Sequence, residues 1–119
     1  MEVQLSEVSK YYGKDVALRS LNFTIQKGAF HFILGPSGCG KTTTLRIIAG
    51  LEAPNTGRIF FDASEVTEQS SSRRGIGMVF QNYALWPHMS VRENIEYGLR
   101  LKKLSPRLMQ SRCKEVLSI

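Results

Sequence analysis

The sequence has few cysteines and no long run of apolar residues. Cys39 and Cys113, its only two cysteines, lie far apart, which argues against a disulfide framework or a metal site and predicts reduced thiols. No stretch approaches the roughly 18 consecutive apolar residues of a membrane span, and the first residues, MEVQLSEVSK, lack a secretory signal profile. We therefore expect a cytosolic chain with one core, for which 119 residues with 42% hydrophobic side chains suffice.

Acidic residues are also scarce, with 10 Asp and Glu against 16 Lys and Arg, and the net charge is +6. The excess is local, because six basic residues lie between Arg100 and Lys114. A basic helix can bind nucleic acid or anionic lipid, but a solvated helix face is the commoner explanation. Stacking aromatics and base-reading arrays are missing as well. We therefore expect no nucleic-acid partner.

Four apolar segments predict strands. Alternation in SLNFTIQKG, residues 20–28, predicts a strand with one buried face. The nearly all-apolar segments AFHFIL, residues 29–34, and IGMVF, residues 76–80, predict strands covered on both faces, as in a parallel sheet. RIFFD, residues 58–62, predicts one more strand, and the Ser-rich stretch 64–72 before IGMVF predicts a loop.

Three segments predict helices. Apolar residues at helical spacing, Leu45, Ile48 and Ala49, predict a helix after the glycine cluster. Ser90 with Glu93 has the spacing of a capping box, and Ser105 followed by proline predicts another helix start. That last pattern meets no glycine stop signal, which makes the C-terminus look cut rather than finished.

The most informative stretch lies between the predicted strand AFHFIL and the predicted helix. It fits G-x-x-x-x-G-K-[ST], the pattern of a loop whose bare backbone amides close around phosphate oxygens at a helix N-terminus. In this pattern Lys41 reaches the terminal phosphates and the Thr42 hydroxyl ligates magnesium. The alternative is a glycine-rich connection with a surface lysine. The predicted nucleotide-binding residues here are Gly35, Pro36, Ser37, Gly38, Cys39, Gly40, Lys41, Thr42 and Thr43.

The flanks of this loop narrow the choice among phosphate-loop proteins. GPSGCGKTTTLRIIAGLEAPNTGRIFFD, followed by GMVFQNYALWPHMSVRENIEYGL, closely resembles the nucleotide-binding subunit of ATP-binding cassette (ABC) transporters. The resemblance implies an α/β P-loop NTPase fold with an ABC ATPase-like core and an N-terminal antiparallel β portion, truncated in the helical subdomain. It implies one ABC ATP-binding domain, of which residues 1–119 are the N-terminal part. Residues 1–80 would hold the strands and phosphate loop, and residues 81–119 the Q-loop and the start of the helical subdomain.

The resemblance also implies roles for single residues and implies ATP and Mg²⁺ as ligands. Gln81 matches the Q-loop glutamine, which binds magnesium and the attacking water, so Lys41 and Gln81 are the candidate catalytic residues and Thr42 and Gln81 the candidate metal ligands. Tyr12 matches the aromatic residue that stacks on adenine, although Tyr11 is its neighbour and either tyrosine could be an ordinary strand residue.

Partners follow from the same resemblance. The stretch YALWPHMSVRENIEYGLRLKK is most similar to bacterial importers of the group that handles sugars, polyamines, iron or sulfate. In such subunits the segment after the Q-loop contacts the transmembrane permease. The candidate contact residues here are Tyr83, Leu85, Trp86, Pro87 and His88. For Trp86 the alternative is a tryptophan buried in the core. A second ATP-binding subunit, as a dimer partner, and a peripheral position on the inner face of the cell membrane are also implied.

Several parts of the family pattern do not occur in these 119 residues. The signature sequence, the strand with the magnesium-binding aspartate and catalytic glutamate, and the switch histidine all come later in such proteins. We therefore expect an ATPase as the complete subunit but an inactive fragment. Two alternatives stay open: a non-catalytic nucleotide-binding or regulatory piece, and a non-transport ABC ATPase, which would carry a long coiled coil after the Q-loop.

Overall fold

The computed structural model describes residues 1–118. The chain forms two compact units, the first spanning Met1–Met78 and the second beginning at Val79. Within residues 1–118, none of the helices combines the length and the apolar character that crossing a membrane requires. Each unit is built from elements whose boundaries follow local sequence signals.

The first unit contains a four-stranded antiparallel sheet in the order β2-β1-β3-β4. A two-residue turn joins β1 to β2, so that Tyr12 pairs with Asp15 and Val3 with Ile25. The strands predicted from SLNFTIQKG and RIFFD are confirmed as parts of β2 and β3. The bounds are β1 Val3–Tyr12, β2 Asp15–Ile25, β3 Thr56–Phe61 and β4 Ser64–Glu65.

A bulge in β1 keeps its apolar residues on one face. Val3 and Leu5 are buried, and the pairing register then shifts before Val8, which is fully buried. Glu7 has a positive φ of 52°, and its amide donates to Asn22 Oδ1 at 2.8 Å. The extra residue of the bulge shifts the alternation of side chains by one position. Val8 therefore lies on the same buried face of the sheet as Val3 and Leu5.

Helix α1, Lys41–Ile48, packs on this sheet and confirms the helix predicted after the glycine cluster. Its buried residues are Thr44, Ile47 and Ile48, of which Ile47 is completely inaccessible. Leu45, part of the predicted apolar face, is instead 46% exposed. The core that α1 completes comprises Val3, Leu5, Val8, Leu18, Ile47, Ile48, Ile59, Phe61 and Val66.

The predicted strands AFHFIL and IGMVF are wrong for this structure, because both segments lack regular secondary structure. Phe30 and Leu34 are 86% and 87% exposed, and Val79 is 89% exposed. A strand of a parallel sheet needs neighbours on both sides to pair its backbone groups, and no element within residues 1–118 pairs with these segments. The Ser-rich stretch is mainly irregular, as predicted, but it includes β4 and a single helical turn, Ser71–Arg73.

The second unit contains α2, Val91–Leu101, and α3, Pro106–Leu117. The predicted capping box is confirmed: Ser90 Oγ accepts from the amide of Glu93 at 3.3 Å, and Glu93 Oε2 accepts from the amide of Ser90 at 2.8 Å. Ser105 caps α3, with proline in its first turn as predicted. Both helices therefore begin where the sequence predicts.

We predict that the purified chain self-associates through residues 29–34. Exposed apolar side chains next to unpaired backbone groups favour edge-to-edge contacts between molecules. The double variant Phe30→Gln/Leu34→Gln should lower the mean mass measured by light scattering, without loss of the circular dichroism signal. Leu101→Gln is the matched control, since Leu101 is also 69% exposed. A monodisperse monomer before any substitution would contradict the prediction.

Candidate functional site

The phosphate-loop pattern forms a hollow at the start of α1. The loop 35–40 follows the irregular segment 29–34, turns through Ser37 and Gly38, and enters the helix at Gly40. The hollow has a volume of about 260 Å³. It is lined by Ser37, Gly38, Gly40, Lys41, Thr42 and Thr43.

The first turn of α1 presents open backbone donors to this hollow. The first four amides of a helix have no carbonyl partner within it, and they give this end a partial positive charge. Gly40, the residue before α1, provides no side-chain cap, and the first turn contains no acidic residue. The amides and the charge are therefore available to an anion.

Gly40 is required here for two reasons. Its φ of 90° lies in the left-handed region, which residues with a Cβ rarely adopt. A Cβ atom would also lie 2.6 Å from the carbonyl oxygen of Ala17 and 2.6 Å from Leu18 Cδ2. Because the start of α1 lies directly against β2, only glycine fits at this point of the loop.

The Lys41 ammonium folds back across the loop. Its Nζ donates to the carbonyl oxygens of Gly35 at 2.8 Å and Pro36 at 2.6 Å, and lies 3.5 Å from Cys39 Sγ. These contacts hold the positive charge over the backbone that surrounds the hollow. An anion entering the hollow would meet both the ammonium and the helix N-terminus.

The three consecutive threonines have different surroundings. Thr44 is buried, and its Oγ1 donates to the carbonyl oxygen of Gly40 at 2.9 Å, so it serves the helix itself. Thr42 and Thr43 line the hollow, and Thr42 is exposed. Oxygen atoms are the ligands that Mg²⁺ prefers, and it keeps several waters when bound. A free hydroxyl beside a phosphate hollow fits this donor set.

Tyr12, the predicted adenine contact, lies at the end of β1 rather than in the hollow. Its ring is 47% exposed, and its hydroxyl donates to Glu52 Oε1 at 2.5 Å. Lys10 Nζ lies 3.2 Å from the same carboxylate and 5.3 Å from the centroid of the Tyr12 ring. Glu52 also lies 3.6 Å from Arg46 of α1, which connects the tyrosine to the helix of the phosphate loop.

These neighbours stabilise the charged form of Glu52. The hydrogen bond from Tyr12 makes the largest contribution to lowering the pKa of Glu52, and Lys10 and Arg46 add to it against a smaller opposing effect of burial. Tyr11 is 40% exposed, its amide donates to Asn55 Oδ1 at 2.8 Å, and its hydroxyl forms no hydrogen bond within residues 1–118. Of the two tyrosines, Tyr12 is the one held by its side chain.

Gln81 lies in the second unit, two residues after its start at Val79, and is exposed. The candidate partner residues after it are exposed too: Tyr83 is 78% exposed, Leu85 70% and Trp86 46%. Trp86 packs against Tyr97 with ring centroids 5.5 Å apart. The half-exposed ring does not fit the alternative of a core tryptophan.

Asn94 of α2 fastens the loop that carries these residues. Its side-chain oxygen accepts from the amide of Trp86 at 2.9 Å. Its side-chain nitrogen donates to the carbonyl oxygens of Trp86, Met89 and Ser90 at 3.0–3.2 Å. Beside it lies an apolar hollow of about 280 Å³, lined by Leu85, Trp86, Pro87, Met89, Val91, Asn94 and Ile95.

The acidic residues that follow Gln81 are all engaged in local contacts. Glu93 belongs to the capping box of α2, where its hydrogen bonds with Ser90 lower its pKa. Glu96 pairs with Arg100 at 2.9 Å, and Glu115 pairs with its own basic neighbour three residues before it at 3.0 Å. None of the three is arranged as a general base.

Sequence reasoning missed Glu52 and Asn94. Asn94 carried a weak signal, because a polar residue four positions after an N-cap lies over the loop that precedes the helix. No local sequence pattern predicts the role of Glu52, because its partners Lys10 and Tyr12 come from a strand about 40 residues earlier.

Comparison with known proteins agrees with the fold and the loop. The chain belongs to the ABC transporter family, whose sequence profile matches residues 18–118. It is 49% identical over 117 residues to the Fe(3+) ions import ATP-binding protein FbpC of Vibrio cholerae, covering 98% of this chain and 33% of that protein. It is 47% identical over 115 residues to the FbpC of Pasteurella multocida, covering 97% of this chain and 33% of that protein. The chain thus spans about a third of the length of these curated relatives.

Solved structures give the same fold. The dimeric bacterial ABC transporter cassette MJ0796 superposes with a TM-score of 0.86 at 32% identity, covering 98% of this chain and 56% of that one. A post-hydrolysis state of the same cassette, bound to ADP and Pi, superposes with a TM-score of 0.84 at 32% identity over the same shares. The predicted α/β P-loop NTPase fold, truncated in the helical subdomain, is confirmed, as is the resemblance to importer-type subunits.

We predict that a maleimide modifies Cys39 faster than Cys113. Cys39 is exposed in the loop, whereas Cys113 is only 3% exposed in α3. Mass spectrometry of peptides from a time course should show the Cys39 adduct first, and Cys39→Ser should remove the fast phase. Equal rates, or labelling of Cys113 alone, would show that the loop does not expose its thiol.

We also predict that the hydrogen bond between Tyr12 and Glu52 stabilises the first unit more strongly when Glu52 is ionised than when it is protonated. The pKa of Glu52 is lowered on folding, so this stability is present above the unfolded value of about 4.3 and is lost as pH falls through the lower folded value. In urea titrations at neutral pH, Tyr12→Phe should cost about 1 kcal/mol. The cost should become smaller as pH falls through the folded pKa of Glu52, because a neutral carboxyl accepts a weaker hydrogen bond than a carboxylate, whereas the cost of Tyr11→Phe should not depend on pH. A pH-independent cost for Tyr12→Phe would contradict the prediction.

Proposed function

We propose that this chain is the nucleotide-binding part of the ATP-binding subunit of an ABC importer. It would be the N-terminal part of one ABC ATP-binding domain, with the strands and phosphate loop in residues 1–80 and the Q-loop and start of the helical subdomain in residues 81–119. The observation that carries the proposal is the hollow at the start of α1, which is lined by Lys41 and by a first helical turn with open amides and no acidic residue.

In this proposal the loop binds the phosphates of ATP. Backbone amides from Gly38 onward donate to phosphate oxygens, and Lys41 offsets the negative charge of the terminal phosphates. The hydroxyl of Thr42 is the candidate ligand for magnesium. When bound, Mg²⁺ would supply positive charge that stabilises the transferring phosphoryl group.

Gln81 and Tyr12 are two further candidates for roles in ATP binding and hydrolysis. Gln81 carries both hydrogen-bond donors and an acceptor at its side-chain amide, which suits a residue that orients water and contributes an oxygen to the metal. Tyr12 would stack on the adenine ring, since an aromatic face accepts any base. Its hydrogen bond to Glu52 supports this role, because a held ring loses less freedom when a base stacks on it.

For the partners, we propose a transmembrane permease that contacts the segment Tyr83–His88, and a second ATP-binding subunit. The exposure of Tyr83, Leu85 and Trp86 supports the first, since large half-exposed aromatics are typical anchors of protein interfaces. The subunit would then lie on the cytoplasmic face of the membrane, held there by the permease. Fe³⁺ import, named for the curated relatives, is the candidate transport reaction.

A second candidate concerns the 119-residue chain taken alone. The three acidic residues that follow Gln81 are Glu93, Glu96 and Glu115, and their engagement in local contacts favours nucleotide binding without turnover. A non-transport ABC ATPase is less well supported, because the loop after Gln81 leads within ten residues into the short capped helix α2 rather than into a long coiled coil.

We predict weak binding of magnesium-ATP and negligible hydrolysis by the isolated chain. Lys41→Ala should remove most of the binding of a fluorescent ATP analogue, because a charge-assisted contact is stronger than a neutral one. Lys27→Ala is the control, since Lys27 is an exposed lysine in the turn after β2.

Two results would contradict this proposal. Unchanged affinity in Lys41→Ala would show that nucleotide binds elsewhere. Steady phosphate release that Lys41→Ala abolishes would show that this chain contains a complete catalytic site.

A further inference from the structure

Arg74 is a buried cation whose partners are all backbone carbonyls. Arg74 as a whole is only 5% exposed. Its Nη1 donates to the carbonyl oxygens of Ile47 at 2.7 Å and Ile48 at 2.9 Å. Its Nε and Nη2 donate to those of Gln69 at 2.9 Å and Thr67 at 3.0 Å. Among the described residues it forms no salt bridge with a carboxylate.

The carbonyls of Ile47 and Ile48 belong to the end of α1. The last carbonyls of a helix lack amide partners within it and carry a partial negative charge. The carbonyl of Ile47 also accepts from the amide of Gly50 at 3.1 Å. The guanidinium is attracted by the partial negative charge of this end, and its other side holds the loop Thr67–Gln69. Burial lowers the pKa of Arg74, but an arginine keeps its proton in proteins.

Gly50 leaves the space that this guanidinium occupies. A Cβ atom at Gly50 would lie 2.6 Å from Arg74 Nε and 3.0 Å from its Cδ and Cζ. Gly50 also has a positive φ of 70°. The last glycine of the cluster FILGPSGCGKTTTLRIIAG therefore serves the far end of α1, where its amide donates to the carbonyl oxygen of Ile47 in a left-handed turn and its missing Cβ leaves room for Arg74.

Because α1 is short and rigid, a movement at its C-terminal end also displaces its first residues, which belong to the phosphate loop. With eight residues the helix is about 12 Å long, so a tilt of about 5° about its C-terminal end moves its first residue by about 1 Å. Binding groups must be held to about 0.5 Å for full effect. Lys41 and Thr42 are the first two residues of this helix.

We propose that Arg74 is a positioning residue for the phosphate-binding loop. By fastening the carbonyl end of α1 to the loop Thr67–Gln69, it fixes the place where Lys41 and Thr42 meet the phosphates. This inference rests on the proposed nucleotide binding. It differs from a stabilising role because it concerns the affinity of folded molecules for nucleotide.

The test compares Arg74→Met with Arg73→Met. Both variants remove one positive charge, but Arg73 is exposed. Titration of folded protein with a fluorescent ATP analogue in the presence of magnesium should give a Kd about tenfold higher for Arg74→Met. The Kd of Arg73→Met should change less than about twofold, as expected for a surface substitution.

Chemical rescue separates positioning from stability. Guanidinium at low millimolar concentration should restore nucleotide affinity to Arg74→Ala, because it fits the four carbonyls, and it should not change the affinity of the unsubstituted chain. Arg74→Lys should not restore it, since one ammonium cannot reach acceptors on both elements. If Arg74→Met and Arg74→Ala fail to fold, faster hydrogen exchange at residues 35–43 in folded Arg74→Lys is the expected result.

The outcomes are distinguishable from those of the proposed function. A lower Tm with unchanged Kd in Arg74→Met, or unchanged exchange of the loop in Arg74→Lys, would overturn the positioning role. If the unsubstituted chain binds no nucleotide, or Lys41→Ala binds as well as it does, the proposed function fails first, and this inference fails with it.

Discussion

The packing of α1 on the antiparallel sheet is the contact on which the rest of the first unit depends. Ile47 is completely buried in the core, and Gly40 touches the backbone of β2 so closely that no side chain fits. A short helix has little stability of its own, so its formation relies on this tertiary packing. The contact between α1 and the sheet also positions the phosphate loop, because the loop ends at Gly40, directly before α1 begins.

Electrostatics divides α1 into two unlike ends. At the first end the amides are open and Lys41 is held by carbonyls of the loop, whereas at the other end Arg74 occupies the last carbonyls. Burying a charge is costly unless its hydrogen bonds are satisfied, and the four carbonyl acceptors of Arg74 meet that condition. The first end of the helix thus has open amides, whereas its last end is fastened to the fold by Arg74.

Local features of this structure were predictable from sequence, and those that depend on distant residues were not. Ser90 with Glu93 and Ser105 with Pro106 predicted helix starts, because capping involves residues only three or four positions apart. The segment 29–34 was predicted as a strand from its apolar composition, but a strand also needs a neighbour to pair with. The contacts of Arg74 were not predictable for the same reason, because its acceptors on α1 lie 26 and 27 residues away in the sequence.

The tight turn between β1 and β2 has a consequence for the order of folding. This hairpin lies within residues 3–25, and its strands are joined by two residues, so it forms without any contact from later parts of the chain. Hairpins form in about 1–10 µs, and chains fold from the N-terminus during synthesis at about 5–20 residues per second. The surface on which α1 packs can therefore begin to assemble before the phosphate loop has emerged from the ribosome.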